Sequence, residues 1–287
     1  MTLRDYHMKL YNFTELRAIA KERGFQALGS FNLHCLEMLP AFFKAAKETN
    51  SPLMIQISTG TALFLGHELI VDSIKSLSKT MDVPACLHLD HCSNIDDIKK
   101  AIDSGFSSVM YDGSHLPLAE NIANTKIVIA YAHPRNITVE GELGAIGGSE
   151  DGKAVHENDI AFTTPEEVQA FVDGTNVDML AISIGTVHGS YTSKTNIQHE
   201  LLNKITQITK TPLVLHGGTG VSNEDMRLVV GKGIEKVNVG TEMNVQWVDN
   251  IQKTCAAGKV DDSVRKFLIP ANDAVKEVLK QKIQLFQ

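Results

Sequence analysis

Three histidines in this chain are placed where a metal ion could use them. His91 lies in CLHLDHCS, His188 in AISIGTVHGSY and His216 in PLVLHGGTG. Each follows or ends a short apolar, β-rich run, and each has a glycine or a carboxylate beside it. Three neutral imidazoles around an open fourth position form a recurring catalytic zinc site. No strand or helix period forces three histidines into corresponding places, so the pattern favours a metal over three unrelated structural residues. His7, His34, His67, His115, His133, His156 and His199 show no such pattern.

Carboxylates accompany the histidines. Asp90 directly precedes His91, and in a regular strand neighbouring side chains project differently. One of the two could then bind metal while the other reaches a substrate hydroxyl. Glu142, at the end of another apolar run, could ligate or support the metal. Glu150 lies in a glycine-rich stretch that could move over a bound substrate, and a mobile carboxylate near a polarised carbonyl suits proton transfer at carbon. The competing reading of Glu150 and Asp151 is a solvated acidic loop.

A third group of residues suits phosphate. Gly217-Gly218-Thr219-Gly220 follows one β-rich run, and Asn238-Val239-Gly240-Thr241 follows another and opens a helix at Glu242. Glycines let backbone N–H groups approach phosphate oxygens, and a helix N-terminus favours the anion. A metal, a phosphate site and acid/base carboxylates together fit a phosphorylated ketone. Its ene-diolate would be stabilised, and carbon–carbon cleavage would need no covalent intermediate. The rival aldol route uses a Schiff-base lysine. No strand end supplies one, and the nearest candidate, Lys194, lies well into a loop.

These residues need a frame that gathers strand ends. The apolar runs are 27–31, 53–58, 85–90, 108–112, 138–143, 179–184, 213–216 and 236–240, and segments of helical period alternate with them. The helical segments include 36–49, 95–104, 165–174, 199–209 and 224–231, with Asn94, Thr164 and Ser222 as N-caps. Eight strands, each followed by a helix and with no linker between, imply an α/β chain folded as a single (β/α)8 TIM barrel over 1–287. The competitor is a doubly wound sheet with a small second domain. In a barrel, Asn32, Ser58, Asp90, Asp112, Glu142, His216 and Asn238 fall at the C-terminal strand ends, where catalytic groups sit. His88 then faces the interior or supports its neighbours. The longest irregular piece, 144–163, reads as an active-site loop, with a surface insertion as the alternative.

Composition narrows the partners. The chain has 287 residues, 27 Lys+Arg against 34 Asp+Glu and a formal net charge of -7. The acidic balance without a basic cluster argues against nucleic acid and anionic membranes. No apolar run approaches the ~20 residues of a membrane span, and MTLRDYHMKLY lacks the apolar core of a signal peptide. Cys35, Cys86, Cys92 and Cys255 are scattered without CxxC spacing, as expected of reduced thiols in a cytoplasmic protein.

HLDHCS (88–93), VEGELGAIGGSEDG (139–152), AISIGTVHGSY (181–191), LHGGTGV (215–221) and KVNVGTEM (236–243) resemble the class II, zinc-dependent ketose-bisphosphate aldolases. The similarity runs from about Tyr11 to Lys282 and is strongest toward the tagatose-bisphosphate aldolase branch. It implies His91, His188 and His216 as zinc ligands, with Glu142 near an alternative metal position. Asp90 would exchange the C4 hydroxyl proton, and Glu150 the proton at the ene-diolate carbon of dihydroxyacetone phosphate. Gly189, Gly217, Gly218, Thr219, Asn238, Val239, Gly240 and Thr241 would hold the dihydroxyacetone phosphate moiety. A monovalent cation, Na+ or K+, would lie near Val187, Gly189 and Gly217. Asn32 and Ser58 match positions lining the substrate pocket. Arg265 matches an arginine that reaches a neighbouring subunit's distal phosphate, which implies a homodimer or homotetramer.

The departures from the family concern the distal end of the substrate. Some fructose-bisphosphate members have Asp at the position of Gly240 and Lys at that of Thr192. Ser263-Val264 precede Arg265 where Asp-Pro is usual. The expected reaction is therefore cleavage of tagatose or fructose 1,6-bisphosphate to dihydroxyacetone phosphate and glyceraldehyde 3-phosphate. The same chemistry on 6-sulfofructose 1-phosphate or the phospho-ketogluconate of inositol breakdown is the alternative. Metal-dependent hydrolysis ranks lower because the chain has no His-x-His. A sugar-phosphate sensor ranks lower because sensing needs no proton-transfer groups.

Overall fold

In the computed structural model, residues 9–150, 153–155, 161–189, 196–258 and 263–287 are described. The side chains of Ser149, Glu150, Lys153, Ala154, Val155 and His188 lie outside that description, as do residues 190–195, which include Thr192 and Lys194. In chain order the elements are α1 (Phe13–Glu22), β1 (Leu28–Asn32), α2 (Leu39–Glu48), β2 (Leu53–Ser58), α3 (Thr59–Leu65), α4 (His67–Met81), β3 (Ala85–Cys92), α5 (Ile95–Ser104) and β4 (Ser108–Tyr111). They continue with α6 (Leu118–Ala132), β5 (Thr138–Leu143), β6 (Gly147–Glu150), β7 (Lys153–Val155), α7 (Pro165–Thr175), β8 (Met179–Ile182) and β9 (Val187–His188). The last are α8 (His199–Ile208), β10 (Leu213–Leu215), α9 (Asn223–Gly231), β11 (Ile234–Val239), α10 (Thr241–Ala256) and α11 (Val264–Leu285).

Eight parallel strands close into a barrel in the order β1-β11-β10-β8-β5-β4-β3-β2. Covered by helices outside and packed within, these strands are buried on both faces, which is why they read as continuous apolar runs rather than alternating ones. Asn94, Thr164 and Ser222 cap α5, α7 and α9 as their sequence positions predict. At the N-terminal end of the barrel the start of α1 is stitched to the strands. Tyr11 N–H donates to the Ala85 carbonyl and Phe13 N–H to Thr138 Oγ1.

The structure adds what periodicity did not show. The stretch after β5 is not wholly irregular. β6 and β7 pair antiparallel, and β6 pairs parallel with β9 through Gly147↔Val187 and Gly148↔His188. At two to four residues each, these strands are too short to carry a period-two signal.

Candidate active site

The site begins at a defect in β3. That strand pairs regularly with β2 up to Ser58↔Asp90, but its register against β4 shifts between Leu89 and Cys92. His91 sits in the bulge at φ 45°, the left-handed region that a side chain strains. Its N–H reaches Met110 Sδ at 3.4 Å. In place of the differing projections expected of a regular strand, this kink turns both Asp90 and His91 toward one point. Asp90, His91 and His216 offer ligand atoms that all lie within 4.8 Å of one another, and so do His91, Asp112 and Glu142.

His91 is the hinge between these two donor sets. Its Nδ1 lies 3.5 Å from Asp112 Oδ2 and 3.7 Å from Glu142 Oε2. The His91 and His216 rings meet edge to face, 4.6 Å between centroids, and His216 Nδ1 is 3.4 Å from Glu142 Oε2. Burial pushes the Glu142 carboxyl well above the usual range, and the Asp112 carboxylate beside it adds to the rise. Its Oε2 is buried with no hydrogen-bond partner among the described residues. Burial also lowers His216, against the opposing hydrogen bond to Glu140, so the ring is in its neutral, ligating form. A divalent cation would satisfy the stranded carboxylate oxygen, and a mixed imidazole–carboxylate set suits zinc and its neighbours. The residues fit the ion.

Asp90 is held from two sides. Gln56 Nε2 donates to its Oδ2 at 2.9 Å, and Asn238 Nδ2 donates to its Oδ1 at 3.2 Å. The same Gln56 nitrogen reaches Asn32 Oδ1 at 2.6 Å. Asn32 in turn rests on Gly240, where an added Cβ would come within 2.4 Å of Asn32 Oδ1. Ser58 stands level with Asp90, and its hydroxyl caps α3 by accepting from Thr61 N–H.

The loops singled out for phosphate converge. Gly217 has φ +68°, and a Cβ there would meet the Val187 carbonyl at 2.3 Å. At Gly218 a Cβ would meet the Asn238 carbonyl at 2.7 Å, so only glycine permits these backbones to touch. Thr219 lies in the short turn 218–220, Gly189 follows β9, and Gly240 precedes Thr241, the first residue of α10. The Val239 side chain is buried in the core. The Asn238 side chain is turned to Asp90 and Lys236. Glu150 and His188 share the small sheet by backbone, their side chains lying outside the described residues. Arg265 is exposed on the first turn of α11.

Beneath these groups lies a layer of which sequence reasoning placed only His88 in the interior. Gln56, His88, Glu140 and Lys236 stand two residues before Ser58, Asp90, Glu142 and Asn238, and all four are fully buried. His216 Nε2 contacts Glu140 Oε1 at 2.8 Å, and Lys236 Nζ pairs with Glu140 Oε2 at 2.8 Å. His88 Nδ1 meets Ser108 Oγ at 2.9 Å, and burial, with the Lys236 charge, holds its pKa down to about 3. The signal was the strand period itself: i−2 from each rim residue points into the barrel. A lysine therefore does enter the barrel, below the strand ends where a Schiff-base lysine was sought.

The barrel has counterparts among known enzymes. A fructose-bisphosphate aldolase of Staphylococcus aureus (strain Mu50 / ATCC 700699) is 38% identical over 282 residues, covering 97% of this chain and 98% of its own length. A fructose-bisphosphate aldolase of Staphylococcus epidermidis (strain ATCC 12228 / FDA PCI 1200) is 37% identical, with the same coverage. The crystal structure of the YdjI aldolase from Escherichia coli K12 superposes with a TM-score of 0.83 at 30% identity, covering 96% of this chain and 97% of that one. The sequence profile "Fructose-bisphosphate aldolase class-II" matches residues 11–287. With the profile spanning nearly every element that builds the barrel and its rim, this chain belongs to the class II fructose-bisphosphate aldolase family and is an aldolase, a carbon–carbon lyase.

Proposed function

We propose that this chain is a zinc-dependent aldolase acting as one domain over 1–287. It reversibly cleaves a ketose 1,6-bisphosphate, tagatose or fructose, to dihydroxyacetone phosphate and glyceraldehyde 3-phosphate. The observation that carries the reading is the fixed carboxylate of Asp90 next to the donors of His91, His216 and Glu142. His91, His216 and His188 hold the zinc, with Glu142 at an alternative position. The cation, when bound, supplies Lewis-acid stabilisation of the negative charge developing on the substrate oxygen.

Asp90, immobilised by Gln56 and Asn238, takes the proton of the C4 hydroxyl as the C3–C4 bond breaks. The bonding pair passes into the C2 carbonyl system. Glu150 delivers the proton to C3, and both proton transfers reverse in condensation. Asn32 and Ser58 line the pocket. Backbone N–H groups of Gly189, Gly217 to Thr219 and Asn238 to Thr241 receive the phosphate at the opening of α10, beside a monovalent cation. Arg265 is presented to a second subunit's substrate in a homodimer or homotetramer, a reading supported by the exposed apolar neighbours Val264 and Ile269. Four free cysteines support a cytoplasmic setting.

Turnover of tagatose 1,6-bisphosphate, fructose 1,6-bisphosphate and 6-sulfofructose 1-phosphate, measured side by side, tests this. Preference for either bisphosphate supports the proposal. Preference for the sulfonate moves the distal group to another chemistry, and covalent trapping of substrate by borohydride at a lysine overturns the metal route.

A further inference from the structure

Lys236 is fully buried in the barrel, where an ammonium is costly unless its donors are met. Nζ donates one hydrogen bond, to Asn238 Oδ1 at 2.7 Å, and forms an ion pair with Glu140 Oε2 at 2.8 Å. An ammonium only donates, so its two partners are obliged to present oxygen.

For Asn238 this settles the amide. With Oδ1 toward Lys236, Nδ2 faces Asp90 Oδ1 at 3.2 Å and donates to it. The flipped amide would set an NH2 against the ammonium and a carbonyl against the carboxylate, both repulsive. For Glu140 the consequence runs the other way across the barrel. Its Oε2 is drawn to Lys236, and its Oε1 sits 2.8 Å from His216 Nε2. An ionised carboxylate only accepts, so Nε2 carries the ring proton. His216 Nδ1 then presents its lone pair on the side of Glu142 Oε2, 3.4 Å away. Lys236 is ill placed to act as a Schiff-base nucleophile, since its Nζ is held by Asn238 and Glu140 and it lies on β11 two residues short of the rim.

We infer that Lys236 is a positioning residue that polarises both working groups of the site, aiming an amide hydrogen bond at Asp90 through Asn238 and selecting the metal-facing nitrogen of His216 through Glu140. This rests on the proposed roles of Asp90 and His216. The rival is an ion pair that only adds stability.

The test uses Lys236→Met and the charge-neutral double variant Lys236→Met/Glu140→Gln, each as the full chain. Three quantities are read: zinc affinity by competition with a chromophoric chelator, kcat and KM on the ketose bisphosphate that the native enzyme turns over, and 15N NMR of labelled histidine in the metal-free protein. Both variants are expected to bind zinc about 10–100-fold more weakly. They should also lose roughly tenfold or more in kcat while KM moves by less than about threefold, as when an interaction specific to the transition state is lost. Should Lys236→Met fail to fold, the double variant, which leaves no unpaired buried charge, carries the comparison. In the native metal-free protein His216 should be protonated at Nε2. A proton on Nδ1 there overturns the proposal without any variant. Folded variants that melt lower but match native zinc affinity and kcat within about twofold overturn it in favour of the stabilising pair. A native chain that binds no zinc overturns the functional reading itself, and this proposal with it.

Discussion

Two residues down each strand from the rim, the barrel interior changes character. At the rim Asp90, Asp112 and Glu142 gather around His91 and His216, and neither Asp90 nor Glu142 meets a lysine or arginine among the described residues. In the layer below, Glu140 is answered by Lys236 and His88 stays neutral, so the charges close on themselves. Burial alone would raise the Glu140 carboxyl, but Lys236 and the His216 hydrogen bond outweigh it and hold it well below the usual range. Glu142, of the same residue type and two positions along the same strand, is pushed the opposite way. The lower layer balances its charges within the chain; at the rim, where the cation is proposed, Glu142 meets no lysine or arginine among the described residues.

The largest effect that separates the layers is removal of that cation. EDTA treatment should abolish turnover, and zinc should restore it, because among the described residues Asp90 and Glu142 meet no lysine or arginine that could replace it. Activity that survives exhaustive chelation, with metal content checked by mass spectrometry, breaks the contrast outright. Next is Asp90→Ala, which leaves the donor pair of His91 and His216 in place and removes the proposed base. A loss in kcat of roughly 10²–10⁴ with little change in zinc content is expected. Unchanged turnover would remove Asp90 from the proposed proton transfer.

The lower layer should answer in stability. Glu140→Leu leaves Lys236 buried beside no counter-charge, which costs about 3–5 kcal/mol. Urea denaturation of the metal-free protein measures this without reference to catalysis. A cost near zero would mean that the ion pair does not neutralise the layer as its 2.8 Å contact implies.

How much of this was legible before the structure follows from the same two layers. The eight strands were readable because both faces of each are covered, and that gives unbroken apolar runs. The rim residues were readable because a polar residue that ends such a run has little reason to be there except function. Gln56, Glu140 and Lys236 were passed over because a polar residue inside an apolar run resembles noise until its partners on other strands are known. Glu140 and Lys236 are 96 positions apart, and no local period links them. The convergence of Asp90 and His91 was also hidden. It depends on a bulge whose residue is a histidine at φ 45°, and a left-handed histidine leaves no glycine in the sequence to mark it.

The smallest test lies at the opposite end of the barrel, where side chains serve the fold alone. Asn12 caps α1, its side chain accepting from Glu15 N–H while the Glu15 side chain accepts from Asn12 N–H, and its amide also reaches Asn136. Neighbouring residues carry the stitches from α1 to β3 and β5, so the cap secures the closed end. Asn12→Ala should cost about 1 kcal/mol, within the range for a lost N-cap. Zinc affinity and kcat should stay at native values, since conservation of geometry at the bottom of such a barrel serves stability while the chemistry sits at the C-terminal face. If Asn12→Ala lowered kcat while the melting temperature held, the two ends of the barrel would be coupled, and the separation of a self-neutralised support from a cation-dependent rim would have to be redrawn to include the base of the fold.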